Sequence, residues 1–236
     1  MNRVVIEADN LSRNFDKIKA VDGVHLTVNA GDIYALIGPN GAGKTTFIKI
    51  LTGLLAPSKG IAWICGQDIA KNPLEAKRHF GYVSDNPVVY DYLTGYEFLN
   101  LTGAIRGMKE KEIKRRIEEL VQIFPLKEVM LQKMGSYSRG NRQKTAFLAS
   151  MISKPELLII DEPIAGLDPT SITIFGQTLA RYARDGGTVF LATHILSFGQ
   201  DFATRVGAMN KGRLVKETEV TGENLNEIYK ETVNSK

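Results

Sequence analysis

The stretch Ile33-Tyr34-Ala35-Leu36-Ile37-Gly38-Pro39-Asn40-Gly41-Ala42-Gly43-Lys44-Thr45-Thr46 decides the fold class. Its first five residues read as a buried strand, and the apolar-rich run Phe47 to Leu55 behind it reads as a helix. Between them Gly38, Gly43, Lys44 and Thr45 fill the pattern G-x-x-x-x-G-K-[ST] of a phosphate-binding loop. Glycines at these points let successive backbone N–H groups turn inward around phosphate oxygens, while the following helix aims its positive end at the same anion. Lys44 then reaches the β- and γ-phosphates, and the Thr45 hydroxyl ligates Mg2+. A glycine-rich turn that merely caps a helix is the plainer alternative. The strand before it and the helix after it favour the phosphate loop.

Working outward, the apolar run Leu157-Leu158-Ile159-Ile160 ends in Asp161-Glu162. A buried strand puts such a carboxylate at its C-terminal edge, where α/β sheets bind ligands. Asp161 is expected to hold Mg2+ through water and Glu162 to face the γ-phosphate and the attacking water, since hydrolysis needs charge neutralisation and water positioning together. Taken alone the pair reads equally well as an acidic turn after a strand. The phosphate loop upstream tips the balance.

Val4 to Ile6, the alternating Val24, Leu26 and Val28, and Ile61 to Ile64 give the opening third a β character. The middle reads as helix: Thr94 and Glu97 have capping-box spacing, and Ile113, Ile117, Leu120, Val121 and Phe124 form one apolar stripe that Pro125 stops. A further helix runs from after Ser138 to about Ile152, ended by Lys154-Pro155. Asp168-Pro169 starts another, with Ile172, Phe175, Leu179 and Tyr182 in helical period up to Asp185. Thr188 to Ala192 is again a strand, and Leu225, Ile228 and Tyr229 predict a short terminal helix. The expected fold is therefore α/β: a phosphate-loop nucleotide-binding core with an N-terminal antiparallel β subdomain and an inserted helical subdomain. As one domain over 1–236, it divides into core and β subdomain at 1–85 and 154–220, helical subdomain at 86–153 and tail at 221–236.

The net charge of +4, from 30 basic and 26 acidic residues, is too slight to argue for nucleic acid and suits an anionic ligand or membrane surface as well. The single cysteine, Cys65, excludes an internal disulfide, and the start shows no leader pattern, so a reducing cytosol is expected. No window approaches the length of a membrane-spanning apolar segment, so a membrane role calls for a partner chain.

Three more strings complete a set. Tyr137-Ser138-Arg139-Gly140-Asn141-Arg142-Gln143 resembles the LSGGQ signature of the ABC ATPases, in the form Tyr-Ser-x-Gly-x-x-Gln. Asp161-Glu162-Pro163-Ile164-Ala165-Gly166-Leu167-Asp168 is similar to the family's Walker B and D-loop, and Thr193-His194 stands where the family keeps its switch histidine. The resemblance spans the chain from Asn10 to about Leu214. It implies a head-to-tail dimer holding two ATP molecules, each between one subunit's phosphate loop, Gly38 to Thr46, and the other's Ser138 and Gly140. It also implies γ-phosphate contact by His194, a nucleotide-proximal Asp168, and Mg2+ with ATP as the ligands. Ser138 would cap its helix and offer hydroxyl, backbone N–H groups and a positive helix end across the interface.

Three positions depart from the family pattern. Phe15 stands where many members stack a tyrosine on adenine, which keeps the π face. Asp85 stands where the pattern has glutamine, a hard Mg2+ ligand but negative near phosphate. Arg139 replaces the first signature glycine, and its side chain either turns from the nucleotide or adds a cation to it.

The resemblance implies an ATPase subunit of a membrane transporter, with exporter-like features in its signature and its short C-terminal end. Its expected partners are a second copy or a related ATPase, and separate transmembrane permease subunits, with no nucleic acid. Its expected place is the cytoplasmic face of the membrane. The alternative is a soluble ABC ATPase acting on a protein or nucleic-acid assembly, which tandem domains, coiled-coil insertions or zinc-type cysteines would favour. A phosphate-loop kinase or GTPase lacks support, since Asn210-Lys211-Gly212-Arg213 fails the guanine-reading string Asn-Lys-x-Asp at its last position.

Overall fold

The computed structural model describes residues 3–162, 164, 166–220 and 224–234. Pro163 and Ala165 of the acidic string, and residues 221–223 and 235–236 of the tail, lie outside the described residues. In chain order the strands and helices are β1 (Val4–Phe15), β2 (Ile18–Asn29), β3 (Ile33–Ile37), α1 (Lys44–Leu51), β4 (Lys59–Ile64), β5 (Gln67–Asp68), α2 (Pro73–Arg78), β6 (Phe80–Val83), α3 (Gly95–Ile105), α4 (Glu110–Leu120), α5 (Arg139–Ser150), β7 (Leu157–Asp161), α6 (Pro169–Arg184), β8 (Thr188–Thr193), α7 (Leu196–Phe202), β9 (Arg205–Asn210), β10 (Arg213–Glu219) and α8 (Leu225–Asn234).

Two sheets form. One is antiparallel in the order β2-β1-β4-β5, and the other runs β10-β9-β3-β8-β7-β6, parallel except for the edge strand β10. Every residue of β3, β7 and β8 is buried, as the near-continuous apolar runs of a sheet covered on both faces require. Their alternation then feeds two cores. Ala35, Ile37, Leu158, Ile160, Val189 and Leu191 pack towards the helical side. Tyr34, Leu36, Leu157, Ile159, Phe190 and Ala192 pack with α1 and the antiparallel sheet. On the helical side Phe124, Phe147, Phe175, Phe198 and Phe202 make a continuous aromatic row with centroid spacings of 4.2 to 6.2 Å.

The register positions the site. Ile37 of β3 pairs with Thr193 of β8, and Asp161 of β7 pairs with Ala192, so the C-terminal ends of three parallel strands lie side by side. Whatever leaves those ends converges.

Several boundaries differ from the pattern reading. β1 runs on to Phe15, because register shifts between Ala8 and Leu11 and again near Arg13 interrupt the alternation without ending the strand. α1 stops at Leu51 and not near Leu55, as Gly53 takes φ +66°. α4 ends at Leu120, while Val121 and Phe124 of its apolar stripe remain buried in the turn that follows.

Candidate nucleotide site

The phosphate loop connects β3 to α1. Gly43 has φ +105°, and a Cβ there would sit 2.2 Å from the carbonyl oxygen of Ala20, so conformation and close approach both demand glycine. Lys44 opens α1 with its side chain only 6% exposed, and its Nζ donates to the carbonyl oxygens of Gly38 at 2.8 Å and Pro39 at 3.2 Å. The ammonium thus lies curled within its own loop. Glu162 Oε1 stands 3.8 Å from it. Burial lowers the Lys44 pKa, against the pull of the Glu162 and Asp161 charges.

Asp161 ends β7 and is 1% exposed. The Thr45 hydroxyl donates to its Oδ1 at 3.2 Å. Burial pushes the Asp161 pKa up to about 6, with the negative charges of Glu162 and Asp85 adding to it and the Thr45 hydrogen bond and Lys44 opposing. A buried carboxylate whose charged form is disfavoured, touching a hydroxyl oxygen beside a phosphate loop, is a donor set that suits a hard divalent cation such as Mg2+.

Glu162 follows at φ +48°, a left-handed backbone that is uncommon outside glycine and characteristic of functional turns. Its N–H still donates to Ala192 at 3.0 Å. Its Oε2 meets His194 Nδ1 at 2.7 Å and also accepts from the His194 backbone N–H at 3.3 Å. β7 and β8 therefore deliver the acid and the histidine as a preformed pair.

The signature is built differently. Ser138 caps α5, its Oγ accepting from the Asn141 N–H at 3.2 Å. Ser138 is exposed and Gly140 half-buried, and neither lines the cavity of about 510 Å3 formed by Gly41 to Thr46, Asp85 and Glu162. Asp168 caps α6, with its carboxylate taken by Ser171 N–H at 2.8 Å, Ser171 Oγ at 2.5 Å and Lys144 Nζ at 3.1 Å. Those bonds hold its pKa below the ordinary carboxylate value. Phe15 lies at the tip of the β1–β2 hairpin with the Arg13 guanidinium 4.8 Å from its ring centre. Phe15 does not line the cavity, whereas the hairpin's second strand, β2, gives its wall Ile18, Lys19 and Ala20. These residues, and Lys211 beside them, carry no motif and were invisible in the sequence.

The Arg139 guanidinium pairs at 3.2 Å with Asp85, a residue of the cavity wall. At the other end of the parallel strands Cys65, His79 and Glu156 converge, but Glu156 is already engaged by His79 at 2.7 Å and Arg3 at 2.6 Å. That cluster ties the N-terminus of β1 to the sheet and stands apart from the nucleotide site.

A phosphate loop, a buried strand-end aspartate and a following glutamate held by histidine define a phosphate-loop nucleoside triphosphate hydrolase. The family model described as ABC transporter matches residues 21–165. The chain belongs to this family and is an ATP-binding, ATP-hydrolysing cassette. Among its relatives, the bacitracin transport ATP-binding protein BcrA of Enterococcus faecalis is 34% identical over 227 residues, 96% of this chain and 71% of that protein. A solved ATP binding subunit of an ABC transporter is 31% identical and superposes with a TM-score of 0.91 over 98% of this chain and 100% of the other. The dimeric post-hydrolysis form of the cassette MJ0796 bound to ADP and Pi shares the fold, at 22% identity and a TM-score of 0.84, over 92% of this chain and 100% of the other.

Proposed function

We propose that two copies of this chain, or one copy and a related ATPase, close head to tail around two ATP molecules at the cytoplasmic face of a membrane and drive export through separate permease subunits. The observation that carries the composite site is the exposed start of α5. Ser138 presents a capping hydroxyl and a positive helix end outside the chain's own phosphate-loop cavity, so a phosphate bound there belongs to another subunit. No helix among the described residues is long and apolar enough to cross a membrane, which is why the permease is a separate chain in this reading. The bacitracin transport named for BcrA supports a role in transport. No nucleic-acid partner enters this reading.

Within each site Gly38 to Thr46 hold the triphosphate, and Phe15 offers a ring face to adenine. Thr45, Asp161 and Asp85 are the proposed Mg2+ ligands, and the bound cation supplies charge neutralisation at the β- and γ-phosphates. Glu162 takes the proton of the attacking water as its oxygen bonds to the γ-phosphorus and the bond to the bridging oxygen breaks, leaving ADP and phosphate. His194 orients Glu162 through Nδ1, and in this reading it also contacts the γ-phosphate. Gly140 lets the signature backbone approach the partner's nucleotide, and Asp168 sets the segment beside it.

The test is Ser138→Ala. Calorimetry with the monomer should return wild-type ATP affinity, while steady-state turnover falls about tenfold, the scale of one lost charge-assisted hydrogen bond. A loss of monomer affinity would put Ser138 in its own subunit's site and overturn the composite arrangement.

A further inference from the structure

Asp85 and Arg139, 54 residues apart, are both departures from the family pattern, and the fold brings them into contact. We propose that they act as one positioning pair, which fixes the start of the signature helix α5 relative to the phosphate-loop cavity; the proposal rests on the composite-site reading above.

Arg139 is the first residue of α5, and the first turn carries no acidic side chain. A cation at that end opposes the helix macrodipole, so an arginine there is disfavoured unless an anion compensates it. Asp85 supplies the anion from the loop leaving β6, and it lines the same cavity as Thr45 and Glu162. The aliphatic stem of Arg139 lies across Gly166, its Cδ 3.4 Å from where a Cβ would stand. Arg139 sits between Ser138 and Gly140, so its tether governs the direction in which both are presented.

Two further cations of α5 are anchored in the same manner. Arg142 reaches Asp91 at 3.2 Å and Lys144 reaches Asp168 at 3.1 Å. Of the three bridges, only Asp85–Arg139 runs from the cavity wall to the signature residues themselves. Both its side chains are more than half exposed, 51% and 59%, which makes it a weak contributor to stability. Its consequence is therefore orientation: a change in nucleotide-side contacts at Asp85 is transmitted to Ser138 without altering the core.

The experiment is a double-mutant cycle of Asp85→Asn, Arg139→Gln and both together. Turnover is measured at saturating ATP and saturating Mg2+, where any role of Asp85 as a metal ligand no longer limits the rate. Each single change should lower turnover about fivefold, a factor within the range for directly coupled side chains, and the double change should be within about twofold of either single one. Melting midpoints should stay at wild-type values throughout the cycle, and monomer ATP affinity at saturating Mg2+ should stay at the wild-type value in Arg139→Gln. Single effects that multiply in the double variant, unchanged turnover, or a fall in melting midpoint that accompanies the loss would each overturn the pairing. Ser138→Ala in the same series separates the two readings: wild-type turnover there removes the composite site, whereas a normal Ser138 effect beside an additive cycle removes only the pair.

Discussion

Lys44 is the residue on which phosphate binding turns. Its ammonium is held by two loop carbonyls and lies close to Glu162, and Asp161 completes an otherwise acidic surround. Replacing it with alanine leaves two carboxylates facing a triphosphate with no side-chain cation between them. Lys44→Ala should therefore lower ATP affinity at least about tenfold to a hundredfold, the equivalent of one or two charge-assisted contacts. Calorimetric titration measures this directly, and an unaltered dissociation constant would contradict the placement. The contrast with Ser138→Ala is informative, because one change removes binding in the chain's own cavity and the other removes turnover without it. Of the site residues, those in contiguous motifs were legible in the sequence: Lys44 and Thr45 open the helix after β3, Asp161 ends β7 and Glu162 follows it, and the register of β3, β7 and β8 then gathers them. The fate of Arg139 was not, since an ion pair across 54 residues leaves no local trace.

At the scale of elements, the contact between β6 and α5 decides how the helical side meets the sheet. A Cβ on Gly81 would stand 2.1 Å from the carbonyl oxygen of Ser150, the last residue of α5, with backbone as the obstacle. Gly81→Ala should destabilise the chain by about 1 to 3 kcal/mol, as overpacking does when neighbours cannot yield. Chemical denaturation followed by circular dichroism is the check, and a wild-type midpoint would show that β6 and α5 separate freely. The same comparison explains which elements could be read from pattern. β3, β7 and β8 are unbroken apolar runs, and α3, α5 and α6 announce themselves through Thr94, Ser138 and Asp168 as caps. The second half of β1 hides behind its register shifts. β9 escaped notice because Gly207 interrupts its apolar run, and the fold needs that glycine: a Cβ there would meet the Tyr34 hydroxyl at 2.1 Å. α2 and α7, at 6 and 7 residues, are too short to display a helical period.

At the scale of the whole molecule the question is what holds two such chains together. Each site collects Asp161, Glu162 and the triphosphate, so closing two of them brings strongly anionic groups face to face. Glu162→Gln removes one negative charge per site and keeps an acceptor oxygen for His194 Nδ1, which now bonds Glu162 at 2.7 Å. The left-handed turn at residue 162 and the strand that leads into it are unchanged by this nearly isosteric swap. Hydrolysis should fall by roughly a hundredfold to ten-thousandfold, the usual worth of a general base, while ATP still binds. Because the closed form is then neither consumed nor repelled as strongly, ATP should shift the variant from monomer to dimer on size-exclusion chromatography, and ADP should not. Wild-type turnover would remove Glu162 from the chemistry. An ATP-loaded variant that stays monomeric would instead leave its catalytic role intact and remove ATP-driven closure, so the two halves of the proposal fail separately.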